Sequence, residues 1–107
     1  MALPDEIIDI FGFALGLAQR GEKHDAAKPL KGFGGAGVVE VVADDEGGTY
    51  RAVYTVTFPE AVFVLHCFQK KSKKGIATPK ETLELILSRL KTAEKAVKEV
   101  RRGQDDC

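Results

Sequence analysis

Residues 61–80, AVFVLHCFQKKSKKGIATPK, constrain the fold of this chain more than any other stretch. The run Ala61-Val62-Phe63-Val64-Leu65 is apolar, β-branched and aromatic, which predicts a largely buried strand. Four lysines follow, Lys70, Lys71, Lys73 and Lys74, with no acid among them. Then Thr78-Pro79-Lys80-Glu81 supplies an N-cap, a proline for the first helical position and a capping-box glutamate. A core strand thus delivers a cluster of cations to the rim of a sheet, and a helix departs from there. Such a rim suits a polyanion.

At 107 residues, one domain is expected over 1–107, large enough to bury roughly 65% of its unfolded surface. Its 16 bases balance its 16 acids, and zero net charge argues against a general nucleic-acid binder. The charge is divided, however. Residues 1–60 hold 10 acids and 5 bases, whereas residues 61–107 hold 6 acids and 11 bases. One face meeting an anion while another stays acidic would produce that split, and so would solvated charge on helix surfaces. Cys67 lies inside the expected strand as a small hydrophobe, and Cys107 is the last residue. No Cys/His spacing matches a zinc site, so no disulfide framework, metal or cofactor is expected. No apolar run nears the ~20 residues of a membrane span and no signal peptide is visible, which places the chain in the cytoplasm with no membrane partner.

Residues 5–20 predict a helix. Asp5 and Glu6 suit its first turn, Ile7, Ile10, Phe11, Ala14, Leu15, Leu17 and Ala18 make a broad apolar face, and Gly21 marks its stop. Gly12 and Gly16 leave room for another element to pack close. Residues 21–37 form a connector, with a short helical turn at Asp25-Ala26-Ala27-Lys28 that Pro29 ends, and a glycine-rich loop at 31–37. That loop lacks the Gly-Lys-Ser/Thr of a phosphate-cradling loop, yet Lys28 and Lys31 can reach an anion. Residues 38–42 read as a strand, Asp44-Asp45-Glu46-Gly47-Gly48 as a turn, and 50–58 as a second strand with apolar even positions Ala52, Tyr54, Val56 and Phe58. Pro59-Glu60 turns the chain into the third strand. From Pro79 to about residue 102, Leu83, Ile86, Leu90, Ala93, Val97 and Val100 recur at spacings of three and four, widened by Leu85 and Leu87. Gly103 closes this helix, with 103–107 as a disordered tail. At about 36 Å the helix exceeds the sheet, so Val97 and Val100 are expected to project. The fold class is α+β: an N-terminal helix, a three-stranded antiparallel meander and a long C-terminal helix.

Tyr50-Arg51-Ala52-Val53-Tyr54, then Val64-Leu65-His66-Cys67-Phe68-Gln69-Lys70-Lys71-Ser72, then Thr78-Pro79, resembles the phage-derived HigB-like toxins of the RelE/ParE superfamily. The resemblance covers nearly the whole chain. It implies a small microbial-ribonuclease-like domain with helices on one side of an antiparallel sheet. It further implies the toxin of a type II toxin-antitoxin pair: a metal-independent endoribonuclease that cleaves mRNA, free or on the ribosome, inhibits translation, and is held by a helix-turn-helix antitoxin. Two departures stand out. Relatives carry a strand and a short helical stretch before the position of Leu3-Pro4, so either the start is truncated or one sheet edge is missing. Many also place an arginine two residues after the position of Glu40, where this chain has Val42, so one cation of the usual active surface is absent. The alternative is a non-catalytic binding protein, either a ParE-like gyrase inhibitor or a phage-derived member that only binds its antitoxin.

Metal-free RNA cleavage uses the substrate's own 2′-hydroxyl as nucleophile. The protein must remove its proton, stabilise a dianionic phosphorane and protonate the leaving oxygen. Fixed cations serve the second task, arginine as a planar fork and lysine as a point charge. The resemblance and strand position together assign this role to Arg51 and Lys71, while Lys70 either adds charge stabilisation or serves as base. His66 is either a general base, which an imidazole suits, or a hydrogen-bonded structural histidine between Leu65 and Cys67. Lys73 and Lys74 are expected either to steer RNA phosphates or to sit in a solvated loop, with Lys28, Lys31 and Gln69 as further expected RNA contacts. Strand parity decides which of these meet. Two or four loop residues at Pro59-Glu60 put Arg51 on one face with His66, Phe68 and Lys70. Three or five put it with Gln69 and Lys71 and turn His66 away. Pairing the apolar even side of strand 50–58 with Val62, Val64 and Phe68 favours the second arrangement. Tyr50 and Tyr54 read as core, and His24 as exposed.

Overall fold

The computed structural model of the chain describes residues 3–30, 33, 37–45, 48–58, 60–70 and 80–105. Two compact units make it up, Met1–Ala77 and Thr78–Cys107. The first opens with helix α1 (Asp5–Gln19). No side chain caps it; the Pro4 carbonyl accepts the N–H groups of Ile7 and Ile8 at 3.0 Å, and Asp5 and Glu6 complement the positive end of the helix dipole. Its other end closes as the sequence leads one to expect. Gly21 takes φ 78°, the Glu22 N–H donates to the Leu17 carbonyl at 2.8 Å, and the Gly21 N–H donates to Ala18 at 3.1 Å. That pair of bonds is a Schellman cap, and glycine adopts its left-handed position at no steric cost.

Four strands follow: β1 (Ala27–Pro29), β2 (Val38–Asp45), β3 (Gly48–Thr55) and β4 (Phe63–Lys70). They form one antiparallel sheet in the order β1-β2-β3-β4. The expected three-strand meander is present as β2-β3-β4, and β1 adds a fourth strand at its edge. The helical turn expected at 25–28 is therefore corrected. Lys28 precedes Pro29, and a residue before proline is pushed out of the helical region into the extended one. Pro29 itself, with no N–H to offer, fits an edge strand. The Leu30 N–H then bonds the Val38 carbonyl at 3.0 Å, and the Val56 N–H bonds that of Gly37 at 2.9 Å. Gly37 has φ 69°, and a Cβ there would collide with the Thr57 side chain.

One core of this unit lies between α1 and one face of the sheet; on the other face Val38, Val53 and Thr55 are buried as well. Ile7, Phe11 and Ala14 pack with Ala27, Val41, Ala43, Tyr50, Ala52 and Tyr54, all nearly sealed from solvent. Both tyrosines are thus core residues, as their strand positions imply. Gly12 and Gly16 point outward, with nothing near the place a Cβ would take. His24 is half-buried rather than exposed: its ring meets Phe13 edge-on at 5.7 Å, and its Nδ1 accepts the Ala26 N–H at 2.9 Å.

The second unit is helix α2 (Lys80–Asp105). Its buried side chains, Ile86, Leu90, Ala93 and Val97, follow the spacing of four, three and four expected of one apolar stripe. Val100, Leu85 and Leu87 are exposed, so the stripe is narrower than the sequence implies, and Val97 belongs to it rather than projecting. The helix passes through Gly103 and runs to Asp105, past the expected stop. The expected cap at Thr78-Pro79 lies outside the described residues.

Candidate active site

Residues directly opposite one another on neighbouring strands share a face of the sheet. The register therefore assigns faces without ambiguity. One row runs Lys28–Glu40–Val53–His66, the next Val42–Arg51–Phe68, the next Asp44–Thr49–Lys70. All lie on the face turned away from α1, since the alternate residues Ala52, Tyr50 and Val41 belong to the α1 core. Arg51 thus shares its face with His66 and Phe68, and the backbone of Lys70 pairs with Thr49 in the next row. Gln69 stands opposite Tyr50 on the α1 side, with its amide close to Gly48.

This overturns the arrangement that the apolar pattern favours, in which Arg51 joins Gln69 and Lys71. The cause is a bulge. Tyr54 pairs with Val64, but Val53 pairs with His66, so Leu65 is an extra residue in β4. A bulge shifts parity by one for everything beyond it. The expected sharing of a side by Val64 and the even positions of strand 50–58 holds, since Tyr54 pairs with Val64, and the expected core position of Phe68 does not hold. Cys67 takes it, half-buried against the α1 core, where burial pushes its thiol pKa up. Burial likewise raises that of Tyr54. Val64 itself is 49% exposed.

Charge on this face is organised around Glu40. Its side chain is only 8% exposed. The Arg51 Nη1 donates to its Oε2 at 3.0 Å, and Lys28 Nζ stands 3.9 Å from its Oε1. Arg51 is itself 14% exposed, while Lys28 is 63% exposed at the sheet edge. A desolvated carboxylate needs such partners, because burying an unpaired charge is costly. Beside this pair, the rings of His66 and Phe68 stack at 5.0 Å between centroids and 20° between planes. At the far row, Thr49 Oγ1 donates to Asp44 Oδ1 at 2.6 Å. Val42 lies directly opposite Arg51, so the cation that the resemblance implies at this position would stand beside Arg51 on this face.

Glu40 and Phe68 are the members of this site that the sequence reading leaves unassigned. Glu40 does carry a signal: a lone acid in Val38-Val39-Glu40-Val41-Val42 and a lone base in Tyr50-Arg51-Ala52-Val53-Tyr54 sit on adjacent apolar strands, and each buried charge calls for the other. Of the other assigned cations, Lys70 ends β4, and Lys31, Lys71, Lys73 and Lys74 lie outside the described residues. Among the described residues no group of three or more His, Cys, Asp or Glu side chains could hold a metal ion. No described helix is long and apolar enough to cross a membrane. Two clefts open at the end of α1, on the opposite face. One, of about 540 Å³, is lined by Ala18, Val56, Phe58 and Val62, the other, of about 300 Å³, by Val39, Tyr54 and Lys23, and neither includes Arg51, Lys28 or His66.

The fold is α+β, with an antiparallel meander following a helix and a long helix at the end, the plan of RelE-like toxins. The family model described as "Phage derived protein Gp49-like (DUF891)" matches residues 1–91, and the chain belongs to that family, a phage-derived family of the RelE/ParE-like toxin type. No curated protein and no solved structure matches the chain.

Proposed function

We propose that this protein is the toxin of a type II toxin-antitoxin pair and acts as a HigB-like, metal-independent endoribonuclease on mRNA, with a helix-turn-helix protein as its antitoxin. The observation that carries this reading is the register, which gathers Arg51, His66 and Phe68 on one face of the sheet, with Lys70 paired to Thr49 in the next row. That set matches the three tasks of RNA cleavage. His66 or Lys70 takes the proton of the 2′-hydroxyl. The 2′-oxygen bonds to phosphorus while Arg51 neutralises the charge that develops there. The bond to the 5′-oxygen breaks, that oxygen takes its proton from whichever of His66 and Lys70 did not act as base, and a 2′,3′-cyclic phosphate remains. Phe68 keeps the imidazole in place by stacking. Lys73, Lys74, Lys28 and Lys31 guide the phosphate backbone.

A second reading, binding without cleavage, is favoured by one observation: Arg51 is already engaged by Glu40, and Val42 supplies no second cation beside it. Induced expression with mapping of cellular mRNA 5′ ends separates the two. Wild type should arrest growth and produce discrete cuts, and Arg51→Ala and His66→Ala should each abolish the cuts while remaining folded. Growth arrest without cuts would support the binding reading. Equal cutting by wild type and both variants would contradict the assigned site.

A further inference from the structure

Glu40 is nearly sealed from solvent, lies on the face turned away from α1, and bonds Arg51 at 3.0 Å. Arginine presents five N–H donors in a rigid plane, so a single short contact to a fixed carboxylate restricts the orientation of the whole fork. The carboxylate is well anchored. It sits on β2, a strand paired on both sides, with Lys28 of β1 reaching its other oxygen. Lys28, Glu40 and Arg51 together carry one net positive charge, enough to meet one phosphodiester. We propose that Glu40 is the positioning residue of Arg51: it holds the guanidinium in a preset orientation on the active face and tunes the cluster to a single phosphate. This rests on the RNA-cleaving reading of the same face. It assigns Glu40 no contact with substrate; its effect passes through Arg51.

Two measurements test it. The first is RNA cleavage by wild type, Glu40→Gln, Glu40→Ala, Arg51→Ala and the Glu40→Ala/Arg51→Ala double variant. Removing a charge-stabilising donor lowers kcat by a hundredfold or more, so Arg51→Ala and Glu40→Ala should each lose about that much. Glu40→Gln keeps an oxygen acceptor for Nη1 and should retain kcat within about tenfold, with KM for RNA unchanged or lower. The double variant should be no slower than Arg51→Ala alone. A Glu40→Ala enzyme as fast as wild type, or a double variant slower by the product of both losses, would overturn the proposal. The second measurement needs no activity. In ¹⁵N spectra the Arg51 guanidinium should show slow rotation in wild type and Glu40→Gln. Free rotation in wild type would overturn the positioning role, whether or not RNA is cut. An absence of RNA cleavage with a slowly rotating Arg51 would instead count against the nuclease reading alone.

Discussion

On the helix side of the sheet, Val41, Ala43, Tyr50, Ala52 and Tyr54 pack with Ile7, Phe11 and Ala14. One residue away along the same strands, Glu40, Arg51, His66 and Phe68 face the other way and are joined by a charge pair and a ring stack. The first face is non-directional, and its worth scales with apolar area removed from water. The second depends on particular partners at particular distances. The difference teaches that the strands here serve two masters at a period of two, and that a single inserted residue, Leu65, decides which side chains of β4 serve which.

The largest expected effect falls on the apolar face. Phe11→Ala should lower stability by about 3–5 kcal/mol, through lost burial and the cavity left behind, measured by urea unfolding. A loss below about 1 kcal/mol would mean that α1 is not the cover of this core. Next comes the charged face. Glu40→Ala strands a buried guanidinium and should cost about 3 kcal/mol, whereas Glu40→Leu with Arg51→Met should fold about as well as wild type. That contrast sharpens the comparison, since no pair of substitutions that empties the Phe11 site would be neutral. Lys28→Ala should cost under about 1 kcal/mol, because its ammonium is exposed and 3.9 Å from Glu40. The smallest effect is a pH slope. The Cys67 pKa is raised in the folded state, so its contribution is complete below the ordinary thiol value of about 8.5 and is lost as pH rises through the raised one. Cys67→Ala should flatten the fall of stability on the alkaline side of neutrality, and an unchanged slope would count against burial of that thiol.

Much of the scaffold is legible in the residues themselves. The stripe of α1 and its stop at Gly21 follow from spacing and from the left-handed preference of glycine. The meander follows from alternation and from the Asp/Gly-rich turn. Three features escape for physical reasons. β1 is three residues long, too short for any period to show, and its proline reads as a stop. The bulge has no glycine to announce it, because Val64, Leu65 and Cys67 are all acceptable on either face. Once the bulge is missed, parity sends Phe68 and His66 to the wrong sides, and the favoured grouping of Arg51 with Gln69 and Lys71 follows from that. Glu40 escapes for a different reason: the lone acid and lone base on adjacent strands suggest a pair, but the partner is diagonal between the two strands, and only the register of β2 on β3 fixes it.

We propose that RNA meets the face turned away from α1. This proposal is tested most directly by titrating ¹⁵N,¹³C-labelled protein with a short RNA carrying 2′-deoxy substitutions that block cleavage. The expected result is chemical-shift change concentrated at Arg51, His66, Phe68 and Lys70, with the Ala18, Val39, Tyr54 and Val56 signals near the opposite clefts unmoved. Shifts confined to that cleft side, with Arg51 and His66 unaffected, would contradict it.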